Sequence, residues 1–306
     1  MLLSLIYVNY NTSGHLLTSI ESILKLKSDV EYEVIVVDNN SPDKSALSGF
    51  EKKFNNIKII YNKKNEGFGE ACNIGAAASD APYVCFVNPD IIFLNGFFRQ
   101  VIDFIDKNDS AGTVGVSLTD PDGCAQYSFN DFPDMNWEIS ELFGNTDILI
   151  QQKLKKTGNN PLPIDWVIGA FMFMRKSVFN DVNGFDSDYF LYYEDTDLQR
   201  RIRSKGYTNY LLPYIKLIHG TKSSIQGDEG NKAYNFMMNK SKMIYFYKHS
   251  TFVKRNLVRL VNILRILSRI VLFPVKLSLN KSSSGDLKIL FENLKIYMHS
   301  KEFYFK

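Results

Sequence analysis

"YEVIVVD", residues 32–38, sets four β-branched residues in a row and closes on an acid, after which "NNSPD" supplies turn formers. A short β-branched run bounded by turn residues reads as a buried strand that delivers Asp38 at its carboxyl end. The same grammar recurs in "LLSLIYV" (2–8), "IKIIY" (57–61), "YVCFVN" (83–88) and "AGTVGVS" (111–117). Between these runs, segments 15–27, 44–54, 67–79 and 95–107 carry apolar residues at three and four spacing and predict helices. Alternating strands and helices imply an α/β fold with a mainly parallel sheet and right-handed crossovers. Ligands of such sheets bind beyond the carboxyl ends of the strands. Asn9, Asn11, Asp38, Asn88 and Asp90 each follow an apolar run. One such residue suits a turn; five at successive strand ends predict a site.

Composition narrows the function. The 306 residues are 45% hydrophobic and 23% charged, which fits a globular protein. A net charge of +3 with no aromatic-studded basic patch argues against nucleic acid as partner. Cys72, Cys85 and Cys124 are widely spaced and contain no CxxC pair, so they predict small buried residues rather than a disulfide framework or zinc site. The start "MLLSLIYVNYN" is apolar but lacks a basic leader and is too short to span a bilayer, so it reads as the first strand of a cytoplasmic protein.

From 120 to 165 the pattern weakens and predicts irregular structure; a second ordered block runs from 164 to 218. Within it, Gly169-Ala170 allows close backbone approach. "FLYYEDTDLQRR" (190–201) turns acidic at Glu194, Asp195 and Asp197 and ends on arginines, which complements a helix dipole. Gly206 supplies the stop. The tail is basic and amphipathic. In a helix over 252–272, Arg255, Arg259, Arg265 and Arg269 share one arc, while Leu257, Leu260, Ile263, Leu264, Leu267 and Val271 take the other side. Interspersed arginines exclude a spanning segment and leave two readings, peripheral membrane-surface contact or packing on the fold. The linear division is 1–230 for the α/β domain and 231–306 for a helical extension.

Six motifs in order carry a resemblance: "VNYN" (8–11), "VVDNNSPD" (36–43), "NEGFGEACNIG" (65–75), "VNPDI" (87–91), "GAFMFMRKSVFNDVNGFD" (169–186) and "FLYYEDTDL" (190–198). Over about residues 3–220 the chain resembles the family 2 glycosyltransferases, in their bacterial rhamnosyltransferase-like branch. That resemblance implies a GT-A fold and an inverting hexosyltransferase. It implies transfer of a sugar, best matched by L-rhamnose from dTDP-L-rhamnose, from a dTDP- or UDP-sugar to a saccharide or lipid-linked saccharide in cell-surface polysaccharide synthesis. Asp38 would accept from the pyrimidine ring, with Asn9 and Asn11 beside it. Asn65, Gly67 and Asn73 would belong to the loop and helix over the donor. "NPD" stands where the family has DxD, with Asn88 replacing the first acid, so Asp90 is left as the carboxylate ligand for Mg²⁺ or Mn²⁺. His219 matches a further metal or diphosphate ligand. Asp195 would be the general base, Glu194 its support, and Asp197 a helix cap.

Two rivals have discriminating features. A sugar-phosphate nucleotidyltransferase would carry a glycine-rich basic loop near its start, and "VNYNTSGHLL" (8–17) has neither property. A non-catalytic carbohydrate-binding module would have no need of Asp38, Asp90, Glu194 and Asp195 together.

Overall fold

A computed structural model describes residues 1–306 except 27, 29, 44–46, 48, 51–53, 55, 144–157, 221–227, 275–283, 300 and 306. The chain forms two compact units. The first comprises 1–132, 149–187 and 194–221, and the second 133–148, 188–193 and 222–306.

In the first unit, β1 (Leu3–Asn9), β2 (Tyr32–Asp38), β3 (Ile57–Tyr61) and β4 (Tyr83–Val87) pair in parallel, in the order β3-β2-β1-β4. Helices α1 (Ser13–Leu24), α2 (Phe68–Ala77) and α3 (Phe98–Asp106) fall where periodicity predicts them; most of the helix expected over 44–54 lies outside the described residues. Beyond β4 the sheet continues through β10 (Phe171–Arg175), β6 (Ala111–Thr119), β11 (Thr208–His219) and β5 (Ile91–Ile92). An edge piece, β8 (Leu162–Ile164), pairs with β11, and β7 (Phe129–Asn130) with β9 (Trp166–Val167) forms a separate ladder. The segment 120–165, expected to be irregular, therefore contains two short strands as well as α4 (Met135–Phe143).

Alternation along β1 builds two cores. Leu3, Leu5 and Tyr7 join Leu16, Ile20 and Ile23 of α1 on one face. Ile6 and Val8 join Ala71, Cys72 and Ala76 of α2 on the other. The helix lies so close that a Cβ on Gly75 would come within 2.5 Å of Ile6. Cys72 and Cys85 are buried, whereas Cys124 is exposed, contrary to the expectation for all three, because it sits in a turn bonded to Asp120.

Register decides the site. Asn9 stands opposite Asp38, and both close their strands at one edge. Strand β10 runs antiparallel to β4 with Phe171 opposite Val87, so its entry residues Gly169 and Ala170 return to that edge, where Ala170 accepts from the Asn88 N–H. Strand β11 ends beside β5 with His219 opposite Ile91, which places His219 next to Asp90.

The second unit consists of α4 with α7 (Asp228–His249), α8 (Phe252–Val271) and α9 (Ser284–Met298). (The first unit's remaining helices are α5, Lys176–Asp181, and α6, Glu194–Ser204.) Its core gathers Tyr189, Tyr193, Met243, Tyr245, Val258, Ile266, Tyr297 and Tyr304. The linear division at 230/231 separates segments that this unit unites, for a stated reason: Glu138 of α4 is fully buried against Lys242 of α7 at 3.0 Å and accepts from Asn262 of α8 at 2.9 Å. A buried charge needs such partners.

Helix α8 turns two of its arginines toward its own unit. The Arg255 guanidinium lies 4.2 Å from the Tyr247 ring centroid, and Arg259 donates to the Tyr297 and His299 carbonyls. Arg255 and Arg259 thus face the unit, where a cation at the end of α9 complements its orphan carbonyls. Ile263 packs on the core, while Leu257, Leu260, Leu264, Leu267 and Val271 are exposed.

Candidate active site

The first polar cluster joins the ends of β1 and β2. Fully buried Asp38 accepts from Asn9 Nδ2 at 2.7 Å and from the Ser41 N–H at 3.0 Å, one bond to each oxygen. Ser41 Oγ accepts from the Asn11 N–H, and Asn9 Oδ1 accepts from Thr12. Asn11 and Asn40 adopt left-handed backbone, at φ 57° and 65°, a conformation their short side chains tolerate. The expected direct contact from Asp38 to a ligand therefore has a condition. Each oxygen keeps a second lone pair but neither is exposed, so a ligand donor reaches Asp38 only when the residues covering it move. Asn11, at the mouth of the cluster, is exposed.

Beside it, Asn39 ties the loop 65–67 to the sheet. Its Nδ2 donates to Asn65 Oδ1 and the Gly67 carbonyl, and its Oδ1 accepts from Asn62 Nδ2 and the Glu66 N–H. Gly67 turns the chain at φ 89° into α2, and its N–H donates to Asn65. The sequence reading passed over Asn39, although "DNN" placed it at the same strand end as Asp38. Replacing it strands several buried groups, each costing about 1–3 kcal/mol. Asn39→Ala is accordingly expected to lower the thermal midpoint and to raise the donor KM more than it lowers kcat, as steady-state kinetics on the purified variant would read. Asn73 takes a different place from its neighbours in the motif. Its carboxamide donates to the Phe185 carbonyl and accepts from the Phe185 N–H, clamping "NGF" (183–185) onto α2.

The second cluster lies at the ends of β4 and β11. His219 Nε2 is 3.5 Å from Asp90 Oδ1, and His219 Nδ1 meets Gln126 Oε1 at 2.9 Å. Gln126 Nε2 donates to the His219 carbonyl, which fixes the carboxamide's orientation. Oε1 must then accept, so Nδ1 carries a proton and Nε2 is the ring nitrogen that faces Asp90. An imidazole Nε2 and a carboxylate oxygen turned toward one another are a donor set that a divalent cation can bridge. Ligands about 2.1 Å from one divalent ion stand about 3.0–3.4 Å apart, close to the spacing seen. Among the described residues no three His, Cys, Asp or Glu converge, so those residues offer two side-chain ligands here. That suits Mg²⁺ or Mn²⁺, which take few protein ligands and complete their shell with substrate phosphates and water. Asn88 is half-buried beside this pair and bonded through its backbone to Ala170. Gln126 was illegible in the sequence, since it lies in a turn-rich stretch without a motif.

The third cluster opens α6. Asp195 Oδ2 accepts from the Gly169 N–H at 2.7 Å, and Oδ1 accepts from the Thr196 N–H at 2.7 Å. The close approach foreseen at Gly169-Ala170 serves this contact: a Cβ on Gly169 would lie 3.3 Å from Asp195 Oδ2. Glu194 is buried, and its Oε2 has no hydrogen-bond partner. Burial pushes the Glu194 carboxyl well above the usual range, with the charges of Asp195 and Asp197 adding to it. Burial raises Asp195 too, against the hydrogen bonds from Gly169 and Thr196. The environments therefore divide the pair: Glu194 holds its proton the more tightly, while donors from Gly169 and Thr196 favour charge on Asp195. Two consecutive left-handed tyrosines, Tyr192 at φ 70° and Tyr193 at φ 66°, precede the pair, a strained backbone of the sort that gathers at functional sites. Asp197, in the first turn of the helix, is fully buried and pairs with Arg201 at 2.7 Å one turn on.

Comparison with known proteins adds the following. A family model described as "Glycosyl transferase family 2" matches residues 4–182, and one described as "Glycosyl transferase family group 2" matches 135–296. The chain is 26% identical over 233 residues to an N-acetylglucosaminyl-diphospho-decaprenol L-rhamnosyltransferase of Mycobacterium tuberculosis, covering 71% of this chain and 75% of that protein. It is 30% identical over 200 residues to rhamnosyltransferase WbbL of Escherichia coli, covering 62% and 74%. Among solved structures it resembles the mannosyltransferase PcManGT from Pyrobaculum calidifontis in complex with GDP-Man and Mn²⁺. The TM-score is 0.60 at 11% identity, over 97% of this chain and 86% of that one, a likeness of fold.

Proposed function

Because this chain belongs to glycosyl transferase family 2, and so is a glycosyltransferase, we propose that it transfers L-rhamnose from dTDP-L-rhamnose, with inversion, to a lipid-linked saccharide. The observation that carries the reading is the meeting, at one sheet edge, of a pinned carboxylate, an Asp-His pair and a buried Asp-Asn cluster. The names of the two rhamnosyltransferase relatives support the choice of sugar, and the acceptor lipid would hold the reaction at a membrane surface on the cytoplasmic side.

In this mechanism the donor base lies against the ends of β1 and β2, under the loop that Asn39 holds. The acceptor hydroxyl approaches Asp195, whose oxygens Gly169 and Thr196 keep in place. As the hydroxyl oxygen attacks the anomeric carbon, its proton passes to Asp195 and the bond from that carbon to the diphosphate oxygen breaks. Protonated Glu194, with its unpartnered oxygen, offers a hydrogen bond to a sugar hydroxyl. Asp90 and His219 would hold Mg²⁺ or Mn²⁺, which when bound stabilises the charge developing on the diphosphate.

Calorimetry with dTDP, UDP and GDP tests the nucleotide. The pyrimidine nucleotides are expected to bind more tightly, because a fixed acceptor such as Asp38 suits the ring N3–H. Equal affinity for GDP would remove the pyrimidine assignment. Rhamnosyl transfer is tested by supplying dTDP-L-rhamnose and UDP-sugars in parallel and assigning the anomeric configuration of the product by NMR.

A further inference from the structure

Helix α8 has two apolar faces, and among the described residues only one has a partner within its unit. Val258 and Ile266 are buried on the inner face with Asn262. On the outer face stand Val253, Leu257, Leu260, Leu264, Leu267 and Val271, between 42% and 75% exposed. Their spacing of four, three, four, three, four confines them to roughly 80° of arc at 3.6 residues per turn. Phe252 and Leu272, also exposed, widen this face at both ends. A run of this size with no core beneath it marks an interaction surface. No helix among the described residues is long and apolar enough to cross a membrane.

Charge identifies the partner. The second unit carries sixteen Lys and Arg against ten Asp and Glu, while the first carries twenty against twenty-three. From Lys222 to the end of the chain the carboxylates number five. The near-neutral net charge conceals a basic unit beside an acidic one, an asymmetry that points to an anionic surface. A second copy of the same basic unit would meet like charge.

We propose that α8 lies along an anionic lipid bilayer, with the Val253-to-Val271 stripe inserted shallowly. The excess of basic residues in the unit, with exposed Lys254 at the start of the helix, supplies the attraction. The inference deepens the reading of a lipid-linked acceptor and rests on it for its purpose, but not for its observations. Arg255 and Arg259 bind the unit together through Tyr247 and the α9 carbonyls, and the leucines meet the lipid.

The experiment is flotation of the full chain with vesicles of equal phosphatidylglycerol and phosphatidylcholine, and with phosphatidylcholine alone. The wild type is expected to float with the anionic vesicles, and less so in raised salt. Leu260→Gln/Leu264→Gln is expected to lower the bound fraction roughly tenfold. Both positions are exposed, so the thermal midpoint and donor hydrolysis without vesicles should be unchanged. Arg259→Glu is expected to lower the thermal midpoint instead. Should the double variant misfold, Leu257→Gln/Leu267→Gln on the same stripe replaces it. A wild type that never floats, or variants that float as it does, would overturn the proposal. So would light scattering that shows a vesicle-free dimer which the leucine substitutions dissociate, since the stripe would then belong to a second copy. Donor hydrolysis in solution separates these outcomes from failure of the glycosyltransferase chemistry.

Discussion

Asp195→Asn is expected to lower kcat per folded molecule about 10²–10⁴-fold, the usual effect of removing a general base, while donor nucleotide binds as before. The substitution is less silent than its shape suggests. Both Asp195 oxygens accept backbone N–H groups, one from Gly169 and one from Thr196. An asparagine must turn its amino group toward one of them. A donor set against a donor costs about 1–3 kcal/mol, so rates must be normalised to folded protein by a thermal melt. Stability loss without loss of turnover would make Asp195 a structural acceptor, and Glu194 the next carboxylate to test.

The pH dependence follows from the same pair. Burial raises Asp195 from its ordinary value, so turnover should fall with acidification at a pH higher than a free aspartate would give. Stability runs the other way. Carboxyls raised in the folded state bind protons more tightly there than in the unfolded chain, so their contribution is present in acid and is lost as pH rises through the raised values. Glu194→Gln removes the larger share of this term. Its thermal midpoint should therefore decline less than that of wild type between acid and neutral pH.

The strand-helix alternation was legible because buried parallel strands need unbroken apolar runs, which "YEVIVVD" and "YVCFVN" display. Asn9, Asp38 and Asp90 were legible as polar residues closing such runs. Contacts between distant segments were not. Gln126 meets His219 across 93 residues, and Glu138 meets Asn262 across 124. Neither pairing leaves a periodicity to read. The same limit left two readings of α8 open: a helical wheel separates leucine from arginine but carries no sign for inside. The direction was set by Tyr247 and by the carbonyls at 297 and 299, which lie elsewhere in the chain.

That dependence on a distant partner gives the metal reading its sharpest test. Asp90→Asn removes the one carboxylate of the Asp-His pair and is expected to weaken Mn²⁺ binding in the presence of dTDP. A cation that stabilises a leaving diphosphate is worth several kcal/mol in the transition state, so turnover should fall roughly 10²–10³-fold. Gln126→Leu leaves both ligands but releases the tautomer of His219, since nothing then holds the proton on Nδ1. Loss of such a supporting bond typically weakens metal affinity about 10–100-fold. Calorimetric titration of Mn²⁺ into each variant with dTDP reads the binding without relying on turnover. The Gln126 variant separates two accounts of the cluster. If Asp90 and His219 merely fasten β5 to β11, its effect should appear in the thermal midpoint and leave Mn²⁺ affinity where it was. If they hold the cation, the affinity should move and the midpoint should barely change, and wild-type turnover in chelator should be lost and return with added Mn²⁺.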